Sequence, residues 1–411
     1  MRVLYNILTY IVTFHLKLAA LFNKKLKLGI DGRTETFSIL ESELLPNDKI
    51  IWFHCASLGE YEQGLPVFEI IRKDYKNHKI VLSFFSPSGY EIRKNTSIAD
   101  TVVYLPFDTK SNAKKFINLL NPVLVLFVKY EVWPNYLFEL KKLNINTVLI
   151  SALFRENQIY FKSYGTLMKN ALDSFNHIFT QDENSKTLLD SINISNVSVS
   201  GDTRFDRVSN QLLANNTLDF LSEFKQNKLC VIAGSTWVDD EKLLIPLINN
   251  HTKDTKFVIA PHNIKPNQIL ELKKSLSKKT VLFSEKENYK LSDFNVLILD
   301  TIGLLTKAYS YADIAYVGGA MGNTGLHNIL EPATFGIPII IGKNHVKFPE
   351  AKAMMGYGLY SISNKEQLNA HLDLLINSST KREELGKKNN LFITKNKGAV
   401  VQIVNYIRKY L

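Results

Sequence analysis

Cysteine is almost absent: two in 411 residues, Cys55 and Cys230, each inside an apolar strand-like run. That excludes a disulfide framework and a cysteine zinc site, and reads as two buried thiols in a reducing compartment. Asp-x-Asp, His-Glu-x-x-His, paired Cys-x-x-Cys and the lysine-bearing phosphate loop are also missing, so metal-dependent group transfer has no visible ligand set. Acids are lacking at the front, where Arg2, Lys17, Lys24, Lys25 and Lys27 all precede the first carboxylate, Asp31.

The bulk composition is that of a globular chain, 45% hydrophobic and 22% charged, and its length suits two domains. The net charge of +11 calls for an anionic partner. A nucleic-acid binder would show lysine and arginine interleaved with aromatics, and no such stripe occurs outside the amino terminus, so no nucleic-acid partner is expected. Between Val3 and Phe22 the chain is apolar but broken by polar residues. On a helical wheel Arg2, Asn6, Thr9, Thr13, Lys17 and Lys24 fall within about 80° of one another, opposite a broad face of leucine, isoleucine, valine and phenylalanine. An uncleaved amphipathic helix lying in a membrane surface fits this best. A spanning anchor and a helix packed on the protein itself are the alternatives, and a secretory signal would need a small-residue cleavage site.

Short β-branched or aromatic runs at residues 50–54, 80–85, 101–105, 123–128, 147–151 and 177–180 alternate with helical spacing, as at 62–73 and 111–120. This predicts a parallel sheet covered on both faces. An asparagine-rich section, 209–227, breaks the rhythm, which resumes with runs at 229–233, 256–260, 280–283, 295–299, 314–317 and 337–341. The expected organisation is an anchor helix (1–28), a Rossmann-like domain (29–208), a linker (209–227), a second Rossmann-like domain (228–395) and a carboxyl-terminal helix (396–411) able to pack on either domain. Two doubly wound α/β domains facing a central cleft would place a nucleotide on one wall and a second substrate on the other.

Candidate chemistry gathers at strand ends. Ser57 and Gly59 permit a tight turn that presents Glu60 at the sheet's lip, as a general base or merely as a complement to a helix dipole. Lys129, Glu131, Trp133 and Asn135 cluster after another strand, with Pro134 suited to a helix start and Trp133 either a core or a lid residue. Ser86 to Tyr90, with Ser86 and Ser88, forms either an anion cradle or a simple turn. In the second half, Ser235 and Thr236 close a strand, and Thr236 with Asp239 has the form of a capping box. His262 follows the next strand, as a base or phosphate contact or an inert loop residue. Gly318-Gly319 leads to His327, Asn328 and Glu331, where a helix opening near His327 would aim amides at an anion and Glu331 would accept hydrogen bonds from a vicinal diol. Phosphate plus ribose suggests a nucleotide, and the glycine spacing is wrong for a dinucleotide.

Eight blocks in order, His54-Cys55-Ala56-Ser57-Leu58-Gly59-Glu60, Ser86 to Tyr90, Leu105-Pro106-Phe107-Asp108, Glu131 to Asn135, Gly201 to Asp206, Gly234-Ser235-Thr236, Asp300 to Gly303 and His327 to Pro332, are spread along the chain, and the resemblance they carry extends over nearly all of it. Together they resemble the lipid A-specific Kdo (3-deoxy-D-manno-oct-2-ulosonic acid) transferase family. The resemblance implies a GT-B fold and an inverting transfer of Kdo from CMP-Kdo to a lipid A precursor, at the cytoplasmic face of the inner membrane, with no metal or cofactor. It assigns Glu60 as catalytic base and Glu131 to the catalytic centre or acceptor side. Ser57, Gly59, Ser86, Ser88, Lys129, Trp133 and Asn135 fall to the acceptor side. Ser235, Thr236, His262, Gly319, His327, Asn328 and Glu331 fall to the donor, with Glu331 on the ribose hydroxyls and helix starts near Ser235 and His327 facing the phosphate. Lys129 stands where many members carry another glutamate, Pro261-His262-Asn263 replaces Pro-Arg-His, and Leu326 replaces a glycine. A GT-B transferase using a UDP-sugar for envelope glycosylation is the alternative within enzymes, and a non-catalytic membrane scaffold the alternative outside them.

Overall fold

The computed structural model describes all 411 residues, which divide into two compact units: residues 1–207 with 397–411, and residues 208–396. Each is built on a seven-stranded parallel sheet, which gives the pair of Rossmann-like domains expected of a GT-B chain.

The first unit's strands are β1 (Ile50–Cys55), β2 (Lys79–Phe84), β3 (Thr101–Tyr104), β4 (Leu124–Val128), β5 (Asn146–Ala152), β6 (His177–Thr180) and β7 (Val197–Val199), in spatial order 3-2-1-4-5-6-7. Every residue of β1 and β4 is buried, as a strand covered on both faces requires. The order reverses between β1 and β4, so the crevice at their carboxyl ends is the place where this topology binds ligands. The second unit holds β8 (Leu229–Thr236), β9 (Thr255–Pro261), β10 (Thr280–Leu282), β11 (Val296–Ile298), β12 (Ile314–Val317), β13 (Ile339–Gly342) and β14 (Leu359–Ile362), in order 10-11-9-8-12-13-14. Its reversal lies between β8 and β12.

The front of the chain is a pair of helices, α1 (Arg2–Ala20) and α2 (Lys24–Glu43), so the expected boundary at residue 28 falls inside α2. Asn23 starts α2 by accepting from the amides of Lys25 and Leu26. Two glycines let α2 lie close on the sheet: a Cβ at Gly32 would come within 2.3 Å of the Tyr104 ring, and one at Gly29 would crowd Arg33 and Pro87. α1 is long and apolar enough to cross a membrane, and Ala20 is its one buried residue. Its amphipathy is inverted. Tyr5, Asn6, Thr9, Thr13 and Leu16 are partly covered, while Val3, Leu4, Ile7, Leu8, Ile11, Val12, Phe14 and Leu18 stand exposed.

The expected linker is helical in part (Asp219–Lys225) and groups with the second unit. The carboxyl-terminal helix, Ala399–Ile407, returns to the first. Val400, Ile403, Val404 and Ile407 are buried in the same cluster as Phe53, Val67 and Ile71. Asp206 holds its start, accepting from the amides of Gly398 (2.9 Å) and Val400 (3.4 Å). Nearby, Thr203 donates to the Gln63 carbonyl at 2.5 Å and Asp202 pairs with Arg204, so the Gly201 to Asp206 block ties the first unit together. Truncating Ile403 to alanine is expected to destabilise the protein by roughly 2–5 kcal/mol, and Asp206→Ala by about 1 kcal/mol through the lost cap. Urea unfolding of the full chain reads both. An unmoved midpoint for Asp206→Ala would mean that apolar contact alone positions the helix.

Candidate active site

The first unit's site is assembled at the ends of β1 and β4. After β1 the chain turns into helix α3 (Leu58–Asp74) with Ser57 as its N-cap and Glu60 in the first turn. Glu60 Oε2 accepts from the Ser57 amide at 2.8 Å and lies 3.3 Å from the Ser57 hydroxyl, while Oε1 makes no hydrogen bond within the protein. The dipole-complementing reading is therefore correct for one oxygen and leaves the other available. Burial first, and the nearby charge of Glu131 second, push Glu60 up to about 7, against the Ser57 amide and Lys129, which pull it down. A carboxyl group so tuned takes a proton readily near neutral pH. Gly59 is exposed and its nearest neighbour would be 3.9 Å from an added Cβ, so its bareness keeps the lip beside Glu60 open.

Glu131, after β4, is buried and engaged by two rings. Its Oε2 lies 2.9 Å from His54 Nε2 and accepts from Trp133 Nε1 at 2.7 Å. On the other side of the imidazole, Nδ1 is 2.8 Å from the Ser83 hydroxyl, which itself accepts from Trp52 Nε1 at 2.7 Å. Donors and acceptors balance if Ser83 donates to Nδ1 and Nε2–H donates to Glu131. The 3.2 Å approach of Trp133 Nε1 to His54 Nε2 is then a proximity, since that nitrogen already carries a hydrogen. A directional line Trp52–Ser83–His54–Glu131 thus ends at the carboxylate whose charge acts on Glu60. His54 was visible in the sequence only as a motif letter, and Ser83 and Trp52 only as strand interior. Trp133 also lies 4.8 Å, ring to ring, from Phe85, and Lys129 takes a left-handed conformation at φ 68° with its ammonium over Tyr130.

Two acceptor-side candidates have structural work. Asn135 is buried, donating from its amide and side chain to Asp108. Ser86 is the N-cap of a short helix, α4 (Pro87–Arg93), and meets Ser88 at 3.0 Å, so the segment is a capped helix start and not a simple turn.

The second unit's candidates gather at the ends of β8, β9 and β12. Trp237, unmarked in the sequence reading, stacks on His262 with centroids 4.5 Å apart, and His262 lies 4.5 Å from His327. Trp237 Nε1 donates to His327 Nε2 at 3.0 Å, which leaves the remaining hydrogen on Nδ1. Burial and the neighbouring His262 lower His327 to about 4, so it is uncharged at neutral pH. The trio is an aromatic platform and not a cationic phosphate clamp. Asp240 stitches the site beneath it, accepting from Trp237 N, Gly319 N and the Tyr316 hydroxyl at 2.9, 2.8 and 2.7 Å. Gly319 is required by its backbone: φ is +94°, and an added Cβ would meet the Gly325 carbonyl at 2.0 Å.

Three local expectations change. The helix after β8 begins at Val238 with Trp237 as N-cap, so Asp240 and not Asp239 closes the cap, and Thr236 instead donates to Glu241 at 2.9 Å. Asp239, Asp240 and Glu241 crowd that first turn with negative charge, which opposes the expected phosphate role of this helix start near Ser235. The helix expected to open near His327 begins at Leu330 and is five residues long. Its Glu331 is held by Asn328 Nδ2 and Thr306 Oγ1, each at 3.0 Å, so the carboxylate is oriented before any ligand arrives. Ser235 adopts φ 53° at the strand end. Cations unmarked in the sequence reading, Lys343 and Lys347, line a pocket of about 440 Å³ with Gly322 and Gly325.

A family model described as 3-deoxy-D-manno-octulosonic-acid transferase (kdotransferase) matches residues 31–207. The 3-deoxy-D-manno-octulosonic acid transferase of Haemophilus influenzae is 26% identical over 92% of this chain and 91% of its own. That of Chlamydophila psittaci is 25% identical over 91% and 88%. Among solved structures, UDP-GlcNAc 2-epimerase from Neisseria meningitidis bound to UDP-GlcNAc superposes with a TM-score of 0.61 over 88% of this chain and all of its own, at 17% identity. MurG of Acinetobacter baumannii gives 0.55 over 88% and 99%, at 12%. The two superpositions bear on the fold alone. The family model covers the acid-bearing unit and the relatives extend the match through the unit carrying Glu331, so with the geometry of both sites the chain is similar, along most of its length, to the 3-deoxy-D-manno-octulosonic-acid transferases.

Proposed function

We propose that this protein transfers Kdo from CMP-Kdo to a lipid A precursor, with inversion and without a cofactor, at the cytoplasmic face of the inner membrane. The observation that carries the chemistry is Glu60, raised to about 7 at a topological switch point with one oxygen unbonded. As carboxylate it accepts the proton of a sugar hydroxyl. The freed oxygen forms a bond to the anomeric carbon of Kdo as the bond from that carbon to the phosphate oxygen breaks, and CMP leaves with the electron pair. Glu131, fixed by His54 and Trp133, sits beside the base and raises its proton affinity, while Lys129 limits that rise.

For the donor, the Trp237–His262–His327 platform suits a flat pyrimidine, and Glu331, preset by Asn328 and Thr306, suits the ribose hydroxyls. Ser235 and the ammonium groups of Lys343 and Lys347 supply the polar and positive groups that a phosphate and a sugar carboxylate need. For the acceptor, the inverted amphipathy of α1 supports a helix lying in the bilayer surface, apolar side in lipid, with the front lysines on anionic headgroups.

Glu60→Gln keeps shape and removes basicity. Its transfer rate, followed by mass spectrometry of the lipid, is expected to fall at least about 100-fold. Wild-type kcat/KM is expected to rise with pH through a midpoint near 7. Stability moves oppositely: the folded state raises this carboxyl above its unfolded value, so wild type loses stability as pH rises from about 4.5 toward 7. The glutamine variant should therefore melt higher than wild type at pH 8, by the equivalent of roughly 1–2 kcal/mol, with the gap closing below about pH 4.5. Near-normal transfer by a folded Glu60→Gln protein would remove Glu60 from the base role.

Thermal shift should respond to CMP and not to UDP, and Trp237→Ala should weaken CMP binding about tenfold. A larger response to UDP would favour the UDP-sugar transferase. Membrane extraction should require detergent, and release by high salt alone would contradict an apolar face buried in lipid.

A further inference from the structure

The first unit has an apolar slot of about 240 Å³ where α1 and α2 meet the loops after β2 and β3. Leu16, Leu26, Ile30, Phe85, Pro87 and Phe107 give it a largely hydrocarbon lining. Its floor is an unusual arginine. Arg33 lies with its guanidinium 4.5 Å from the Phe85 ring and 4.7 Å from that of Phe107, and its hydrogens go to the carbonyls of Leu105 (2.9 Å), Gly29 (2.6 Å) and Phe85. Those bonds lock the two rings and α2 into a preformed wall, so the slot does not need to be shaped by its occupant.

Two continuities identify what would fill it. At one end, Leu16 belongs to α1, whose outward side is a band of exposed leucine, isoleucine, valine and phenylalanine. At the other, Phe85 packs at a tilt against Trp133 with ring centroids 4.8 Å apart, and Trp133 donates to Glu131 at 2.7 Å. Hydrocarbon surface therefore runs from the lipid-facing helix to within one ring of the catalytic carboxylates. Lys25 at the slot adds positive charge suited to an anionic headgroup.

We propose that this slot takes one fatty acyl chain of the lipid acceptor, drawn partly out of the bilayer, and so places the headgroup hydroxyl at Glu60. The inference rests on the acceptor being an acylated glycolipid. A narrow, largely apolar cavity discriminates by the number of methylenes it can bury, not by polar contacts.

The test is transfer kinetics in mixed micelles with two acceptors that share the phosphorylated disaccharide and differ only in long or short acyl chains. Wild type is expected to prefer the long chains at least tenfold in kcat/KM. Ile30→Trp, which fills the slot, should reduce that preference to within twofold by lowering the long-chain rate more than the short-chain rate. Leu26→Trp, at a position already 37% exposed and so tolerant of bulk, should act in the same direction if Ile30→Trp does not fold. A wild-type enzyme without chain-length preference would overturn the proposal. So would variants that lower both acceptors alike, or that retain the full preference, which would then belong to micelle partitioning through α1. Absence of transfer to either acceptor by wild type would instead sink the functional reading itself, and the slot's role with it.

Discussion

Two carboxylates end two neighbouring parallel strands, and the protein treats them oppositely. Glu131 is given ring donors from His54 and Trp133, whereas Glu60 is given one backbone amide and a long hydroxyl contact. Burial dominates the rise of Glu60, and the Glu131 charge adds to it. Lys129 and the Ser57 amide are too weak to cancel them. The asymmetry requires β1 and β4 to be adjacent, and that adjacency exists only because the strand order reverses there. The sheet's topology and the proton affinity of Glu60 are thus the same constraint at two scales.

The line from Trp52 through Ser83 and His54 explains why the Glu131 side cannot drift. Trp52, Ser83, His54 and Glu131 are all buried, each bond fixes the next hydrogen, and the indole at the start of the line can only donate. In the second unit the logic is reversed. His327 is kept uncharged and Asp240 spends its oxygens on Trp237, Gly319 and Tyr316, so the platform is rigid and nearly neutral. A neutral aromatic surface binds a base well and a phosphate poorly, which leaves the anion to groups outside it.

Much of this was legible in the sequence where a pattern had length and burial behind it. The central strands repeat apolar residues because both faces are covered, and their boundaries agree within a few residues. The two missed strands, β7 and β14, are edges of three and four residues with half-exposed positions, so they leave no apolar run. Helix α2 was hidden by Gly29 and Gly32, which lower helix propensity yet are what allow it to lie on Pro87 and Tyr104. Helix α4 was hidden by Ser86-Pro87-Ser88-Gly89, a turn-like spelling that here supplies a cap and a first-turn proline. In the sites, Glu60, Glu131 and Glu331 were readable because strand ends are short and motif-bearing. Ser83, Trp52 and Trp237 were not, since a partner that matters only across a sheet has no spacing to betray it.

Asp108 shows how position at a membrane and position at the site become one problem. Buried, and for that reason raised to about 7, it accepts from Tyr5 on α1 at 2.6 Å with one oxygen. It also accepts from the amides of Asn135 and Tyr136, at 3.1 and 3.2 Å, which open the helix directly after Trp133. Arg2 reinforces the same junction over the Phe138 ring at 4.6 Å. Because the amides are helix-terminal and the tyrosine comes from α1, the carboxyl couples the tilt of α1 to the turn that carries Glu131 and Trp133. If α1 lies in a bilayer surface, as proposed, that turn is held at a set height above the lipid. A reaction whose acceptor hydroxyl sits at a fixed depth gains most from such a reference, since Glu131 on that turn neighbours the proposed base and misplacing a reacting group by about 1 Å costs on the order of 100-fold in rate.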